Sequence, residues 1–264
     1  MTIPRAHSRA WLGALLLVVA NLFGLARLAH ATEILIPAYF EPSGSSLADW
    51  QRIADAVDAN HKITTIINPG NGPRPADASL LPAWVQASEQ TCGTCGGGLG
   101  FVYTRYGLRP LDEVKADIAA YRSLGYTLKG IFVDEMPSWW QMNLGEGPLT
   151  RQGFLNYYSQ LYSYIKSLDP TWRVMGNPGI RTDEILMTGG EGFGRSADSL
   201  VVLENTADYL LNTYQADDWN KKAAYDGRLA YLVHATPTAA VLADVLRRVD
   251  QNGGDIVYVS DGVL

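Results

Sequence analysis

Eight short apolar runs, each rich in β-branched or aromatic residues and each set apart from the next by a longer segment, limit the architecture open to this chain more than any other feature. They are EILIPAYF (33–40), ITTIINP (63–69), LGFVYT (99–104), LKGIFVDE (128–135), WRVMGNPG (172–179), SLVVLENT (199–206), RLAYLVHA (228–235) and DIVYVSDG (255–262). Their hydrophobicity is continuous rather than alternating, which marks strands covered on both faces. The segments over 45–60, 75–90, 110–125, 150–169, 212–225 and 238–253 read as helices between them. In the first, Leu47, Trp50, Ile53, Ala54 and Val57 recur at helical spacing. Strands buried on both faces and joined through helices pair in parallel by right-handed crossovers. Eight of them predict a closed (β/α)8 barrel of the TIM type. An open doubly wound sheet is the alternative, but PAYFEPSGSS after the first strand lacks the G-x-G-x-x-G turn of a dinucleotide-binding sheet. Two departures from the ideal barrel are expected. The connection RTDEILMTGGEGFGRSAD has room only for a short helix, and the eighth helix is missing.

A chain of 264 residues with 47% hydrophobic content can build one such domain, expected over residues 32–264. Ahead of it, Arg5 and Arg9 precede an apolar run from Trp11 to Leu25, and Ala29-His30-Ala31 supplies an A-x-A cleavage pattern. Residues 1–31 therefore read as a secretory signal, with a secreted or periplasmic product that has no membrane association once cleaved. A retained anchor is the competing reading, and the apolar core falls short of the roughly 18 to 20 residues that a spanning helix needs. Loss of Arg5, Arg9 and Arg27 leaves 18 of the 21 basic residues against 27 acidic ones, a balance of −9. Such a domain is ill suited to nucleic acid, whose phosphates select clustered Lys and Arg, and better suited to a neutral or cationic ligand.

The only cysteines, Cys92 and Cys95, lie in QTCGTCGGGLG. A C-x-x-C pair can be a small disulfide loop, a redox motif or half a zinc site. Beyond the signal only His61 and His234 could complete a zinc site, too few for a structural one. A thioredoxin-like pair belongs at a helix N-terminus, not in a glycine-rich loop before a strand. A structural disulfide in an exported protein is the expectation.

In a parallel barrel the C-terminal strand ends form the active face. They present Tyr39, Asn68, Thr104, Asp134 with Glu135, Asn177, Glu204 with Asn205, His234, and Ser260 with Asp261. Asp134 and Glu204 stand out because apolar runs, IFVD and VVLE, lead into them. Burial and like-charge neighbours at such positions raise a carboxyl pKa. Two carboxylates facing across a cleft are the equipment of glycoside hydrolysis. Successive strand residues point opposite ways, so one member of the Asp134–Glu135 pair is expected to do chemistry while the other orients it, binds a sugar group or pairs with an arginine. Trp139, Trp140, Tyr103 and Tyr106 are expected in loops on the same rim, where aromatic faces can stack on sugar rings.

These residues carry a family resemblance. LIPAYFEPSG (35–44), Trp50, IINPGNGP (66–73), LGFVYTRYG (99–107), DIAAY with GIFVDE (117–135), GNPG (176–179) and VVLEN (201–205) resemble, in order, the spherulin 4-like glycoside hydrolases, glycoside hydrolase family 135. The last two strands contain no matching motif, and the Cys92–Cys95 loop departs from the pattern. The resemblance implies a (β/α)8 fold and a retaining, endo-acting cleavage of α-1,4-linked galactosamine or N-acetylgalactosamine in exopolysaccharide of the galactosaminogalactan type found in biofilm matrices. It implies Asp134 as nucleophile, Glu204 as acid/base and Glu135 as a supporting acid. Tyr39, Asn68, Tyr103, Trp139, Trp140, Asn177 and Asn205 are the expected substrate contacts, in a monomer that needs neither metal nor organic cofactor. Two rival functions stay open: a non-catalytic polysaccharide-binding barrel, whose binding would survive removal of either acid, and a thiol–disulfide protein using CGTC.

Overall fold

The computed structural model describes residues 33–56, 62–91 and 97–262. The expected signal over 1–31 and both cysteines lie outside the described residues. All eight expected strands are present: β1 (Glu33–Ala38), β2 (Lys62–Ile67), β3 (Gly97–Tyr103), β4 (Gly130–Asp134), β5 (Arg173–Gly176), β6 (Ser199–Thr206), β7 (Leu229–His234) and β8 (Ile256–Val259). They close in sequence order into one barrel in which every neighbouring pair, β8 with β1 included, is parallel.

Alternation along each strand divides the core into two layers. Leu35, Ile66, Phe101, Phe132, Met175, Val201, Leu232 and Ile256 fill the barrel. Their neighbours, among them Ile36, Val102, Val133, Leu203 and Val233, pack outward against the helices. The strands are continuously apolar because both layers are dry. The helices are amphipathic because only one side of each is covered. Helix Arg151–Leu168 buries Phe154, Leu155, Tyr158, Leu161 and Ile165, one face of a 3.6-residue period, and begins where the Thr150 side chain accepts the Gly153 N–H. Gly130 opens β4 because a Cβ there would stand 1.9 Å from the Arg173 carbonyl oxygen on β5.

At the N-terminal end of the barrel Glu33, 2% exposed, takes Arg173 from β5 at 2.5 and 2.8 Å and Lys62 from β2 at 2.8 Å. Burial works to raise its pKa, but these cations hold it below the usual value of 4.5.

Two expectations fail. Residues 212–225 do not form a helix. The α-helix lies earlier, at Ala207–Asn212, started by Thr206 accepting the Tyr209 N–H, and only short 3-10 turns follow at Asp218–Lys221 and Ala223–Tyr225. Tyr214 and Tyr225 are buried at helix-like spacing, yet each is anchored by tertiary contacts: the Tyr214 hydroxyl donates to the Val202 carbonyl at 3.1 Å and the Tyr225 hydroxyl to the Glu184 carboxylate, while Asp217 is drawn to Arg181. Trp139 and Trp140, expected in a loop, begin the short helix Trp139–Asn143. Ser138 and Gln141 form a capping box there, so a helix starts just past Pro137. The glycine-rich connection after β5 holds, as expected, only a four-residue helix, Ile185–Thr188. No described helix is long and apolar enough to cross a membrane.

Candidate active site

The inward-facing register of each strand continues past the apolar layer into a polar one at the C-terminal rim. Ile66 leads to Asn68, Phe101 to Tyr103, Phe132 to Asp134, Met175 to Asn177 and Leu232 to His234, each two residues on. Strand β6 breaks the count. Val201 pairs with Ala230 and Leu203 with Tyr231, so one extra residue is inserted between them. After this bulge Glu204 stands beside Leu232, a lumen residue, and Asn205 beside Val233, which packs outward. The bulge turns Glu204 into the barrel. It also turns Asn205 out of the inner layer, and the Asn205 Oδ1 accepts the N–H of Thr206 at 2.8 Å.

Asp134, Asn177 and Glu204 meet. The Asn177 Nδ2 donates to Asp134 Oδ1 at 2.8 Å and to Glu204 Oε2 at 2.8 Å. Two contacts to one nitrogen hold these oxygens at most 5.6 Å apart, twice 2.8 Å. The backbone fixes the group. Asn177 N–H donates to Val133 O at 2.8 Å, Met136 N–H to Asn177 O at 2.9 Å, and Glu204 N–H to Gly179 O at 2.8 Å. Gly179 adopts φ +67°, which glycine tolerates without strain. Asn177 is 7% exposed, and its Oδ1 is buried without a partner. The same holds for Asn68 Oδ1 and His234 Nδ1 on the other side of the rim. Each is a buried polar atom without a hydrogen-bond partner in the protein.

Burial pushes the Asp134 carboxyl up from 3.8 to about 6. Bonds from the Glu135 backbone and Asn177 pull it down, and the charges of Glu204 and Glu135 push it further up. Tyr39, though 47% exposed as a residue, has its hydroxyl end desolvated near both acids. Burial, then Asp134 and Glu204, raise its pKa well above 10, so it remains a neutral donor. Its ring packs edge-on against Phe101 at 5.8 Å.

The other expected residues are placed differently. Glu135 has φ +57°, and its Oε2 accepts the Arg105 N–H at 2.8 Å. Tyr103 lies on the rim with Arg109 over one ring face at 4.4 Å. Trp139 and Trp140 meet edge-on at 6.2 Å, with the Arg181 guanidinium 6.0 and 5.9 Å from their centroids. Sequence reasoning named Asn177 as a contact but not as the bridge, and placed His234 and Tyr106 on the rim without counting them among the expected substrate contacts. Among the described residues no group of three or more His, Cys, Asp or Glu side chains could hold a metal ion.

The profile of the spherulation-specific family 4 matches residues 33–263. The chain belongs to that family. Spherulin-4 of Physarum polycephalum is 29% identical over 237 residues, which is 87% of this chain and 63% of that protein, so the chain spans less than two thirds of its relative. Among solved structures, Aspergillus clavatus Sph3 in complex with GalNAc superposes with a TM-score of 0.66 at 23% identity, covering 88% of this chain and 90% of that one. The Sph3 likeness shows that the family 4 barrel seen here is shared. The match spans every strand, β7 and β8 included, although those two contain none of the motifs that carry the resemblance.

Proposed function

We propose that this family 4 protein is a glycoside hydrolase that cleaves by double displacement, with Asp134 and Glu204 as its paired carboxylates. One observation carries the reading: a single amide nitrogen, Asn177 Nδ2, bonds both acids and holds their facing oxygens within 5.6 Å. Retaining glycosidases separate their carboxyl groups by about 5 to 5.5 Å, whereas inverting ones leave roughly 6.5 to 9.5 Å for a water. Asp134 attacks the anomeric carbon while Glu204 gives its proton to the departing glycosidic oxygen. Water then attacks the glycosyl–Asp134 ester as Glu204 takes its proton, returning both acids to their starting states. Tyr39, Asn68, Tyr103 and Asn177 are the sugar-binding groups, with Trp139 and Trp140 as an outer platform. None of these steps calls for a cofactor.

The substrate class we propose is α-1,4-linked galactosamine and N-acetylgalactosamine in exopolysaccharide, cut internally by an exported monomer. The GalNAc bound to Sph3 and the acidic balance of the chain support it. The raised pKa of Asp134 favours one converse assignment, with Asp134 as acid and Glu204 as nucleophile. A pH profile on a defined galactosamine/N-acetylgalactosamine oligomer, with products followed by mass spectrometry, separates the two. If Asp134 is the nucleophile it must be ionised, so kcat/KM falls as the pH drops below about 6. If it is the acid, kcat/KM falls as the pH rises through the same value. Intact oligomer at every pH refutes hydrolysis.

A further inference from the structure

Strain in this barrel is gathered beside the acids. Among the described residues six non-glycine positions have positive φ, and three of them, Arg105 (52°), Tyr106 (54°) and Glu135 (57°), lie at the ends of β3 and β4, with Gly107 (79°) completing the turn. Such conformations persist only where the surroundings over-determine them, and they gather at ligand clamps. Here they are over-determined by Glu135. Its carboxylate accepts the Arg105 N–H at 2.8 Å, and its carbonyl accepts the Tyr106 N–H at 3.0 Å, the Thr104 hydroxyl at 2.9 Å and the Tyr158 hydroxyl at 3.2 Å. The Gly107 and Arg109 amides both return to Thr104 O, at 3.1 and 3.0 Å. The bonds to Glu135 close the turn onto the residue next to Asp134, and those to Thr104 close it on itself.

We propose that Glu135 is a positioning residue, and that through the strained Arg105–Tyr106–Gly107 turn it holds Tyr106 beside the Asp134–Glu204 pair as a platform for the sugar. The platform rests on the glycosidase reading above. Tyr106 is 41% exposed, its N–H is tied to the carbonyl of the residue next to Asp134 at 3.0 Å, and its phenol pKa is raised first by burial and then by the charges of Glu135, Asp134 and Glu204. A partly exposed tyrosine tied to the strand end that carries Asp134 offers a flat apolar face and one neutral donor to a saccharide. Glu135 has no such freedom, because one of its oxygens is already engaged by the backbone.

The test compares Glu135→Gln, which keeps an acceptor for the Arg105 N–H, with Glu135→Ala, which does not. On a defined galactosamine/N-acetylgalactosamine oligomer, Glu135→Gln should lower kcat/KM by less than about tenfold. Glu135→Ala and Tyr106→Ala should each lower it by about a hundredfold, mainly through KM, the scale on which a misplaced group costs an enzyme. The double variant Glu135→Ala/Tyr106→Ala should be little worse than either single one, because both remove the same platform. Equal loss in Glu135→Gln and Glu135→Ala, expressed in kcat, would make Glu135 a chemical participant and overturn the proposal. Two further arms do not need turnover. In the Asp134→Asn background, Tyr106→Ala should weaken binding of the same oligomer at least tenfold, and unchanged binding refutes the platform. Amide hydrogen exchange at Arg105 and Tyr106 should stay protected in Glu135→Gln and lose protection in Glu135→Ala; unchanged protection refutes the hold. If the wild type binds the oligomer but never cleaves it, the hydrolase reading falls while the binding and exchange arms still judge Glu135 and Tyr106.

Discussion

Asp134→Asn should stabilise this protein at neutral pH and leave its stability unchanged in acid. The folded barrel raises the Asp134 pKa from 3.8 to about 6, chiefly by burial. Between those values the native state binds a proton that the unfolded chain has released, so stability falls as pH rises through this window and stays lower above it. Below 3.8 both states carry the proton and the penalty is absent. Asn mimics the protonated acid at every pH and can still present an oxygen to Asn177 Nδ2. At ~1.4 kcal/mol for each tenfold change in proton affinity, the variant gains up to ~3 kcal/mol at pH 7.5. For a domain of this size that is a rise in Tm of roughly 6 to 12 °C. Thermal unfolding of both proteins at pH 4.0 and pH 7.5 measures it. A gain of equal size at both pH values, or destabilisation at pH 7.5, would refute the claim that the ionised carboxylate is held against its own solvation. The same variant should have no hydrolytic activity, so one substitution exposes the opposition between stability and chemistry at this position.

Other outcomes follow from named contacts. Asn177→Ala should cut kcat by about a hundredfold with KM less affected, since it frees both acids from their common donor; oligomer kinetics check this. Glu33→Gln should destabilise the barrel by ~3 to 5 kcal/mol at pH 7 in chemical denaturation, because it leaves the Arg173 guanidinium without its charged partner in a confined floor. The Glu33 contribution is present above 4.5 and fades as the pH falls toward its lowered native pKa, so the gap between wild type and variant should narrow in strong acid. Cys92 and Cys95 should be joined in the exported protein, and alkylation followed by intact-mass measurement should find no free thiol without reductant; two labelled thiols refute the pairing.

The barrel was legible because its strands are buried twice over. A strand with lumen on one side and helices on the other must be apolar at both parities, and a run such as GIFVD has no other comfortable place in a protein of this size. The rim was legible because a polar residue that ends such a run must emerge where the strand does. What the chain conceals is decided by distant parts. Residues 212–225 have the aromatic spacing of a helix, yet Asp217 answers to Arg181 from the β5 loop and Tyr214 to a carbonyl of β6, contacts that local propensity does not encode. Glu135 looked like a second acid because its neighbour is one. Its part depends on an amide 30 residues earlier.

The bulge in β6 shows why the two acids were easier to find than to orient. Alternation from Val201 sends Leu203 and Asn205 into the barrel and Glu204 out of it. Nothing in SLVVLENT marks an inserted residue, since the segment holds neither glycine nor proline. The structure reverses the parity at Val202, leaving Val202 and Leu203 both packed outward. Glu204 then reaches the same layer as Asp134, and a residue expected to touch substrate instead caps its own neighbour. A bulge costs ladder hydrogen bonds, and it persists where it re-aims a side chain. On β4 the carboxylate arrives by plain alternation from Phe132, so only one of the two strands needs the irregularity. The facing pair is thus built from one regular strand, one bulged strand and the asparagine of the strand between them, whose amide can reach both acids only because the bulge has brought Glu204 into phase.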